Sequence, residues 1–345
     1  MKGTIKSEAF FLCKTGTPEE AFELRSFEIN EPKENEVLIE VEAFGLNYAD
    51  VMARKGLYRE APGFPCVVGY EVVGKVISTG ASVKNDLVGK RVIAFCRFGG
   101  YAKHVLTTDI ATVAVGNEPS EELLALTTQS VTAYYMGMYL TPIHSIDTVL
   151  IHAAAGGVGT ILIQLAKMKG ARVIAKIGRT EKAEVVKKLG ADFVVNYNES
   201  DYIEQIKTFL NGDRIDISYN PVAGSTYKKD MSILGSGGRM VLFGGSELSN
   251  GKWGILSKLN FVRRMGLVLP IGLMMRSKNI LGVNMLKIAD NRPKILEFCL
   301  QESFRLFKEG KIVPQVGGSY SVEEFTKAHS MLESGKSTGK LSVKW

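Results

Sequence analysis

The sequence predicts an α/β protein of two domains, one β-rich and one built on a doubly wound parallel sheet. Three observations point to this class: the length of 345 residues, a change of pattern near residue 125, and a strand–glycine–helix segment at 147–167. A chain of this length can bury two hydrophobic cores, and its composition is ordinary for a globular protein. We expect domains at 1–124 and 125–284, and a segment, 285–345, that returns to the first domain.

Residues 1–124 carry short valine-rich segments separated by glycine turns, at 36–43, 66–78 and 90–95. Such runs are typical of β-strands, so the first domain is predicted to be compact and β-rich. The N-terminal 16 residues hold only a short apolar patch and no cleavage-like site, which argues against secretion.

The cysteines indicate a reducing compartment. The chain has four, and they are far apart and form no C-x-x-C pair: Cys13, Cys66, Cys96 and Cys299. This usage favours free thiols over disulfides and leaves no structural zinc cluster. We therefore expect a cytoplasmic protein.

From residue 125 onward, candidate strands alternate with amphipathic helices such as 181–189 and 202–210. The strands are predicted at 149–151, 172–176, 193–195, 215–219, 239–243 and 280–283. Alternation of this kind is typical of a parallel sheet with helices on both faces. In the C-terminal segment we expect two helices and a last strand, at 293–309, 322–333 and 340–343.

The segment 147–167 combines a buried strand, a small-residue turn and a helix. Its turn matches the dinucleotide fingerprint G-x-G-x-x-G with alanine in the first place. Such a turn lets the backbone approach a pyrophosphate and points the helix N-terminus at it. A plain tight turn is the alternative, and the glycines and histidine within 148–166 disfavour a membrane span. The predicted cofactor contacts here are Ala154, Gly156, Gly157, Val158 and Gly159.

The residues after the second strand of this sheet indicate which nicotinamide cofactor binds. An acidic residue about 20 positions after the last glycine usually binds the ribose 2′-hydroxyl of NAD. Here that place holds Gly178 and Arg179, and the first acid is Glu181. Arg179 and Lys182 can instead bond a 2′-phosphate, so NADPH is favoured over NADH, with Tyr197 on the adenosine side. The alternative is that both cations belong to a solvated helix start.

Several ordered motifs carry a resemblance to a known family. They are GLNYADVMARKGLY (45–58), VGYEVVGKVISTG (68–80), AAAGGVG (153–159) with Gln164 and Lys167, and GGRMVLFG (237–244). With them the chain resembles the medium-chain dehydrogenases/reductases, in particular their zinc-free quinone oxidoreductase (zeta-crystallin-like) branch. Ile146 departs from that branch, which typically has Gly, Ser, Asp or Asn there. The resemblance implies a GroES-like catalytic domain, a Rossmann NADP-binding domain and a homodimer.

Zinc-dependent relatives place a cysteine near Asn47 and a histidine at Tyr70, and neither ligand exists here. Glu71 alone cannot supply a tetrahedral zinc site, so we predict no metal and expect Glu71 to be a buried structural acceptor. Without a metal, hydride transfer needs an acceptor that is already electrophilic. A quinone or an α,β-unsaturated carbonyl meets that requirement, with donors placed at the developing oxyanion.

The same resemblance implies the remaining site residues. Asn47 and Tyr58 are the candidate catalytic residues, in polar contact with substrate beside the nicotinamide. Thr132 corresponds to a contact of the nicotinamide half, and Gly244 and Val283 flank the ring. Alternatively, Asn47 is a capping residue and Tyr58 a packed surface aromatic. No residue is a convincing general acid, so solvent or a ribose hydroxyl is expected to deliver the proton.

The basic apolar segment, residues 248–289, holds no acidic residue, and its cations account for the net charge of +7. The rest of the chain is balanced, which argues against a nucleic-acid partner. The stretch 246–279 looks like an extension in the vesicle amine transport protein subgroup. Its longest uncharged run, 265–275, is too short to span a bilayer. A pocket lid, a subunit surface next to strand 280–283, and peripheral contact with an anionic membrane all remain open.

Two functions of different classes follow. The first is an NADPH-dependent reductase of quinones or enones. The second is a nucleotide-binding protein with weak catalysis that binds a membrane surface or a partner through the basic apolar segment.

Overall fold

The computed structural model describes residues 4–84, 86–250 and 255–345, which form two compact units. The first unit joins the chain up to Val131 with Leu286–Trp345, and the second is Thr132–Met285. The second unit is therefore an insertion in the sequence of the first.

The N-terminal part of the first unit is mostly strands. Its elements are β1 (Thr4–Leu12), α1 (Pro18–Ala21), β2 (Phe22–Asn30), β3 (Glu36–Leu46), α2 (Tyr48–Arg54), β4 (Cys66–Val67), β5 (Glu71–Thr79), β6 (Arg91–Phe95), β7 (His104–Thr108), β8 (Thr112–Ala114) and α3 (Ser120–Ala125).

The second unit alternates strands and helices, beginning within a helix that crosses from the first unit. Its elements are α4 (Thr128–Tyr134), β9 (Thr148–Ile151), α5 (Gly157–Met168), β10 (Arg172–Ile177), α6 (Ala183–Lys188), β11 (Phe193–Asn196), α7 (Tyr202–Leu210), β12 (Ile215–Asn220), α8 (Ser225–Ile233), β13 (Leu234–Leu242), α9 (Ile255–Met265), α10 (Pro270–Arg276) and β14 (Asn279–Gly282).

The chain then returns to the first unit. This last part consists of α11 (Met285–Asn291), α12 (Pro293–Lys308), β15 (Val316–Ser321), α13 (Phe325–Glu333) and β16 (Lys340–Lys344).

Two sheets organise the first unit. One has the order β2-β1-β4, and the other has the order β15-β16-β3-β5-β6-β8, with β7 also paired to β3. Strand β16 lies between β15 and β3, in register Leu341 with Leu46. A cluster of rings fills the interior because large aromatic side chains bury the most apolar area. Within it the rings of Phe10 and Phe325 stack with centroids 4.0 Å apart.

The sheet of the second unit is parallel throughout, in the order β11-β10-β9-β12-β13-β14. The chain starts at β9 in the middle, builds outward through β10 and β11, and then returns to build β12, β13 and β14 on the other side. The order reverses between β9 and β12. In doubly wound sheets, ligands bind at the carboxyl ends of the strands beside such a reversal.

Helix α7 shows how the local sequence builds this unit. Asp201 caps its first turn by accepting a hydrogen bond from the Ile203 N–H at 2.9 Å. Apolar residues at positions 203, 206 and 210 form one buried face against the sheet. Asn211 ends the helix in the left-handed conformation, with φ 48°.

The predicted α/β fold class is confirmed, with some differences in the elements. The strand predicted at 66–78 is divided into β4 and β5, because Gly69 turns the chain at φ 97°. The residue at this turn is glycine because an added Cβ would lie 2.5 Å from the Tyr101 ring. Helices predicted at 181–189 and 322–333 each begin as a 3₁₀ turn. Strands β1, β2, β7, β8 and β15 were not predicted.

Candidate functional site

The turn between β9 and α5 lies at the reversal of strand order. After β9, Ala153 adopts the left-handed region at φ 48°, and Gly156 precedes the first helical turn. An added Cβ at Gly159 would lie 2.6 Å from the carbonyl oxygens of both Ala153 and Ala154. Only glycine fits there, so the glycine at the last place of the fingerprint has a direct steric cause.

The same turn can bind an anion. The first-turn N–H groups of Gly157, Val158 and Gly159 have no acceptor within the helix, and the helix dipole adds partial positive charge. The Ala154 N–H, in contrast, already donates to the Lys176 carbonyl at 3.1 Å, and this hydrogen bond connects the turn to β10. Gly156 to Val158 are partly exposed, whereas Ala154 is buried.

Gly178 and Tyr197 meet at the ends of β10 and β11. An added Cβ at Gly178 would lie 2.3 Å from the Tyr197 hydroxyl, so a larger residue would displace that ring. The Tyr197 N–H donates to the Ile177 carbonyl at 3.1 Å, and 51% of the residue is exposed. The exposed ring offers a flat apolar surface, which suits the side of a purine base.

Arg179 and Lys182 lie next to this pair. Arg179 is exposed and Lys182 is half-buried. Partial burial, and then the neighbouring Arg179 guanidinium, lower the pKa of Lys182. Both effects disfavour the charged ammonium, and an anion placed beside the two cations would reverse them.

A buried polar cluster centred on Asp230 lies beneath the carboxyl ends of the strands of this sheet. Asp230 accepts hydrogen bonds from the Tyr202 hydroxyl, the Ser218 hydroxyl and the Asn220 side-chain N–H at 2.7, 2.7 and 2.8 Å. The His152 ring lies 2.8 Å from the same carboxylate. Burial opposes the charge, yet His152 and the hydroxyl donors hold the pKa of Asp230 below its usual value. His152 is thus a packed, hydrogen-bonding residue.

Asn220, to which the sequence assigned no role, shapes the loop after β12. Its side-chain oxygen accepts from the N–H groups of Val222 and Ala223 at 2.8 and 2.9 Å. That loop lies against Gly244, where an added Cβ would be 2.7 Å from the Pro221 carbonyl. The loop and Gly244 are therefore fitted to each other.

The structure places the other cofactor candidates in the same unit. Thr132 is buried in α4, whereas Gly244 is exposed just after β13. Val283 follows β14 and donates its N–H to the Leu242 carbonyl at 2.8 Å. All cofactor candidates therefore belong to the second unit, and the candidate catalytic residues Asn47 and Tyr58 belong to the first.

Asn47 begins helix α2 in the first unit. Its backbone N–H donates to the Asp50 carboxylate at 2.8 Å, and its carbonyl accepts from the Asp50 N–H at 2.9 Å. Its side-chain NH₂ donates to Glu71 at 2.8 Å, and its side-chain oxygen accepts from the Lys340 ammonium at 3.1 Å. Asn47 is 7% exposed. It therefore caps a helix and also belongs to a buried charged group.

That group is centred on Glu71 and Lys340, both fully buried. The Lys340 ammonium donates to Glu71 Oε1 and, at 3.1 Å, to the Leu46 carbonyl. Glu71 Oε2 accepts from the Thr128 N–H at 2.7 Å. The prediction that Glu71 is a buried acceptor is thus confirmed. Its partner Lys340, nearly 270 residues away, was not predicted from the sequence.

Tyr58 and Tyr70 form an aromatic pair in the first unit. Their rings meet edge to face with centroids 6.4 Å apart. Partial burial raises the pKa of Tyr58 to about 12, and burial also raises the pKa of Tyr70. Both phenols therefore stay protonated at neutral pH, and each keeps an O–H that can donate a hydrogen bond.

The basic apolar segment exposes many of its apolar side chains. Leu267 is 96% and Met275 79% exposed, and helix α10 has no buried residue. Arg264 pairs with Glu247 at 2.7 Å. Lys252 and Trp253 lie outside the described residues. Among the helices that the structure describes, none is long and apolar enough to cross a membrane.

Comparison with known proteins places this arrangement in a family. Residues 33–132 match the alcohol dehydrogenase GroES-like domain, and residues 157–303 match the zinc-binding dehydrogenase family. Quinone oxidoreductase 1 of Escherichia coli is 31% identical over 330 residues, which cover 94% of this chain and 96% of that protein. The chain belongs to the medium-chain dehydrogenase/reductase superfamily of oxidoreductases, and its relatives there include quinone oxidoreductases and VAT-1 homologues. The predicted resemblance is confirmed.

Individual relatives agree with this assignment. The synaptic vesicle membrane protein VAT-1 homolog of Danio rerio is 27% identical over 90% of this chain, which spans 64% of that relative's length. The structure of Escherichia coli quinone oxidoreductase complexed with NADPH matches with a TM-score of 0.84 and 28% identity, covering 98% of this chain and all of the other. The human VAT-1 homolog-like protein matches with a TM-score of 0.82 and 26% identity, over 99% and 98% of the two chains.

Some members of the superfamily carry zinc, and the residues here do not fit it. Asn47 and Tyr70 offer a neutral amide and a protonated phenol, which are poor ligands for Zn²⁺. Glu71 is already bonded to a lysine ammonium whose positive charge would repel a cation. Within the described ranges, no group of three or more His, Cys, Asp or Glu side chains could hold a metal ion. The donor set therefore argues against metal-assisted chemistry.

Proposed function

We propose that the chain transfers a hydride from NADPH to a quinone or an α,β-unsaturated carbonyl without a metal. The observation that carries this proposal is the pair of anion-binding features on one edge of the second unit. One is the glycine turn after β9, and the other is the cation pair after β10, where an acid would select NAD. A pyrophosphate and a 2′-phosphate are the two anionic groups of NADPH.

The residues proposed to hold NADPH follow from these features. The turn residues Ala154 and Gly156 to Gly159 form the pyrophosphate cradle, and Gly178 and Tyr197 form the adenosine side. Arg179 and Lys182 neutralise the 2′-phosphate. Thr132, Gly244 and Val283 are proposed for the nicotinamide half. The relatives crystallised with NADPH support this choice of cofactor.

The acceptor class rests on the chemistry of the first unit. Asn47 and Tyr58 are neutral donors, and neutral donors suit a carbonyl oxygen that gains negative charge during reduction. The bound cofactor supplies the hydride, while the protein orients the acceptor and donates hydrogen bonds to its oxygen. The carboxylates beside Asn47 already accept hydrogen bonds within the protein. Glu71 accepts from Lys340, and Asp50 accepts from the Asn47 N–H at the start of α2. Solvent or a ribose hydroxyl is therefore proposed as the proton source.

Turnover with a panel of acceptors tests the function. The protein is mixed with NADPH or NADH and with several quinones and 2-alkenals, and the loss of cofactor absorbance is followed. We expect consumption of NADPH to exceed that of NADH with at least one acceptor, and Asn47→Ala and Tyr58→Phe to slow it. Absence of turnover with every acceptor would overturn the proposal.

A second candidate function is favoured by the basic apolar segment. We propose, as the alternative, a nucleotide-binding protein with weak catalysis that contacts an anionic membrane surface or a protein partner. Exposed side chains such as Leu267, Met274 and Met275 lie in the same segment as Arg263 and Arg276. Mixed basic and apolar surface of this kind binds anionic lipid.

Co-sedimentation with vesicles separates the two functions. If the protein binds NADPH without consuming it and pellets with phosphatidylserine vesicles but not with phosphatidylcholine vesicles, the second function is supported. Arg263→Glu with Arg276→Glu is then expected to abolish pelleting. A homodimer paired through the edge strand β14, and a cytoplasmic location suggested by the four free cysteines, complete the proposal.

A further inference from the structure

Lys340 offers the Asn47 side chain one orientation only. A lysine ammonium can only donate hydrogen bonds, and an ionised carboxylate can only accept them. The Asn47 oxygen faces Lys340 at 3.1 Å, and its NH₂ faces Glu71 at 2.8 Å. A flipped amide would place NH₂ against the ammonium and oxygen against the carboxylate. Both contacts would then be repulsive, so the polarity of the amide is fixed.

The ammonium is itself held in place. Its three hydrogens have three acceptors, namely the Leu46 carbonyl, the Asn47 oxygen and Glu71 Oε1. Gly45 leaves the space that the lysine needs, because an added Cβ there would lie 2.4 Å from Lys340 Cε and 2.3 Å from Glu71 Oε1. Full burial protects these contacts from water and makes each of them electrostatically stronger.

We propose that Lys340 is a positioning residue that makes Asn47 a hydrogen-bond donor toward the substrate. One hydrogen of the Asn47 NH₂ is bonded to Glu71, so the second hydrogen is the donor that the side chain can present. This inference rests on the proposed function, because reduction of a quinone or enone breaks a π bond and places its electron pair on the carbonyl oxygen. An N–H donor stabilises that oxygen, whereas the amide oxygen would repel it.

The variant that tests this role must remove both buried charges. Lys340→Met alone leaves an unpaired buried carboxylate and is expected to destabilise the fold strongly. Lys340→Met with Glu71→Gln keeps similar volumes, removes both charges and frees the amide to rotate. The matched control is Arg54→Met with Glu333→Gln, since Arg54 is a buried cation at the other end of α2 and pairs with Glu333.

The measurements are NADPH affinity, kcat and KM for a quinone or enone that the wild-type protein reduces. We expect the Lys340/Glu71 variant to bind NADPH with unchanged Kd, to keep KM within about threefold, and to lose about 10- to 100-fold in kcat. The Arg54/Glu333 control should keep the wild-type kcat. In an Asn47→Ala background the Lys340/Glu71 changes should cost no further kcat, because Lys340 acts through Asn47.

Each outcome decides between the proposals. Unchanged kcat in the Lys340/Glu71 variant, or a further loss of kcat in the Asn47→Ala background, would overturn the positioning role while leaving the reductase function standing. Equal losses in the control variant would also overturn it, since a general packing effect would then suffice. If the wild-type protein reduces no acceptor, the function fails and the positioning role fails with it.

Discussion

The choice between NADPH and NADH rests on two side chains, and their removal gives a quantitative prediction. Arg179→Ala with Lys182→Ala deletes the cations proposed to bind the 2′-phosphate. A hydrogen bond to a charged group contributes about 1.5–3 kcal/mol, and the exposure of Arg179 places it at the lower end. Two bonds at that end give about 3 kcal/mol, or roughly 150-fold in Kd for NADPH. NADH, which lacks the phosphate, should change by less than about threefold.

Titration of each cofactor, followed by nicotinamide fluorescence or calorimetry, measures both constants. The matched control is Lys187→Ala with Lys188→Ala, which removes the same charge from the last turn of α6. A difference between cofactors that shrinks with added salt would agree with an ionic contact. Equal weakening of NADPH and NADH, or an equal loss in the control variant, would refute the reasoning.

Further predictions concern the turn, a buried histidine and the adenosine side. Gly159→Ala forces a Cβ to 2.6 Å from the carbonyl oxygens of residues 153–154, so it should cost about 2–3 kcal/mol, seen as a fall of roughly 5–10 °C in Tm by calorimetry. Burial lowers the pKa of His329 to about 3, so between pH 6.5 and 3 only the unfolded chain binds the proton. The free energy of unfolding therefore decreases as the pH is lowered, by about 2 kcal/mol from pH 6.5 to 5. The His329→Leu variant should lack this contribution, and urea titrations at the two pH values measure it. Gly178→Ala should displace the Tyr197 ring and thereby weaken NADPH binding, measured by fluorescence quenching. An unchanged affinity for NADPH would contradict the close fit of Gly178 to Tyr197.

The fold of the second unit was predictable because short, local sequence patterns identify its strands, helices and turns. The strands around the reversal are short and apolar, α7 has one apolar face, and the glycine turn has a steric requirement at Gly159. Strand β2 shows the opposite case. Its sequence FELRSFEIN is largely exposed, and the apolar positions 22 and 24 are out of phase with 27 and 29. No single alternation of apolar and polar residues therefore identifies it as a half-buried strand.

The candidate site was only partly predictable, because its contacts join distant parts of the chain. Resemblance located Asn47 and Glu71, and their residue types allowed the zinc-free interpretation. Nothing near Lys340 in the sequence GKLSVKW marks a buried ion pair, since a lysine close to a strand end is usually solvated. Only the pairing of β16 with β3 brings its ammonium to Asn47.

The position of β16 between β15 and β3 has a consequence for synthesis on the ribosome. Strand β3 is made early, but its neighbour β16 emerges after the whole second unit has been translated. Domains fold as units in the order in which they emerge, so the inserted second unit can fold while the first is still open along one edge. During that interval residues 43–46 of β3, which later pair with β16, lack their backbone partners, and Glu71 lacks its countercharge. The part of the protein that begins first is therefore the part that is completed last.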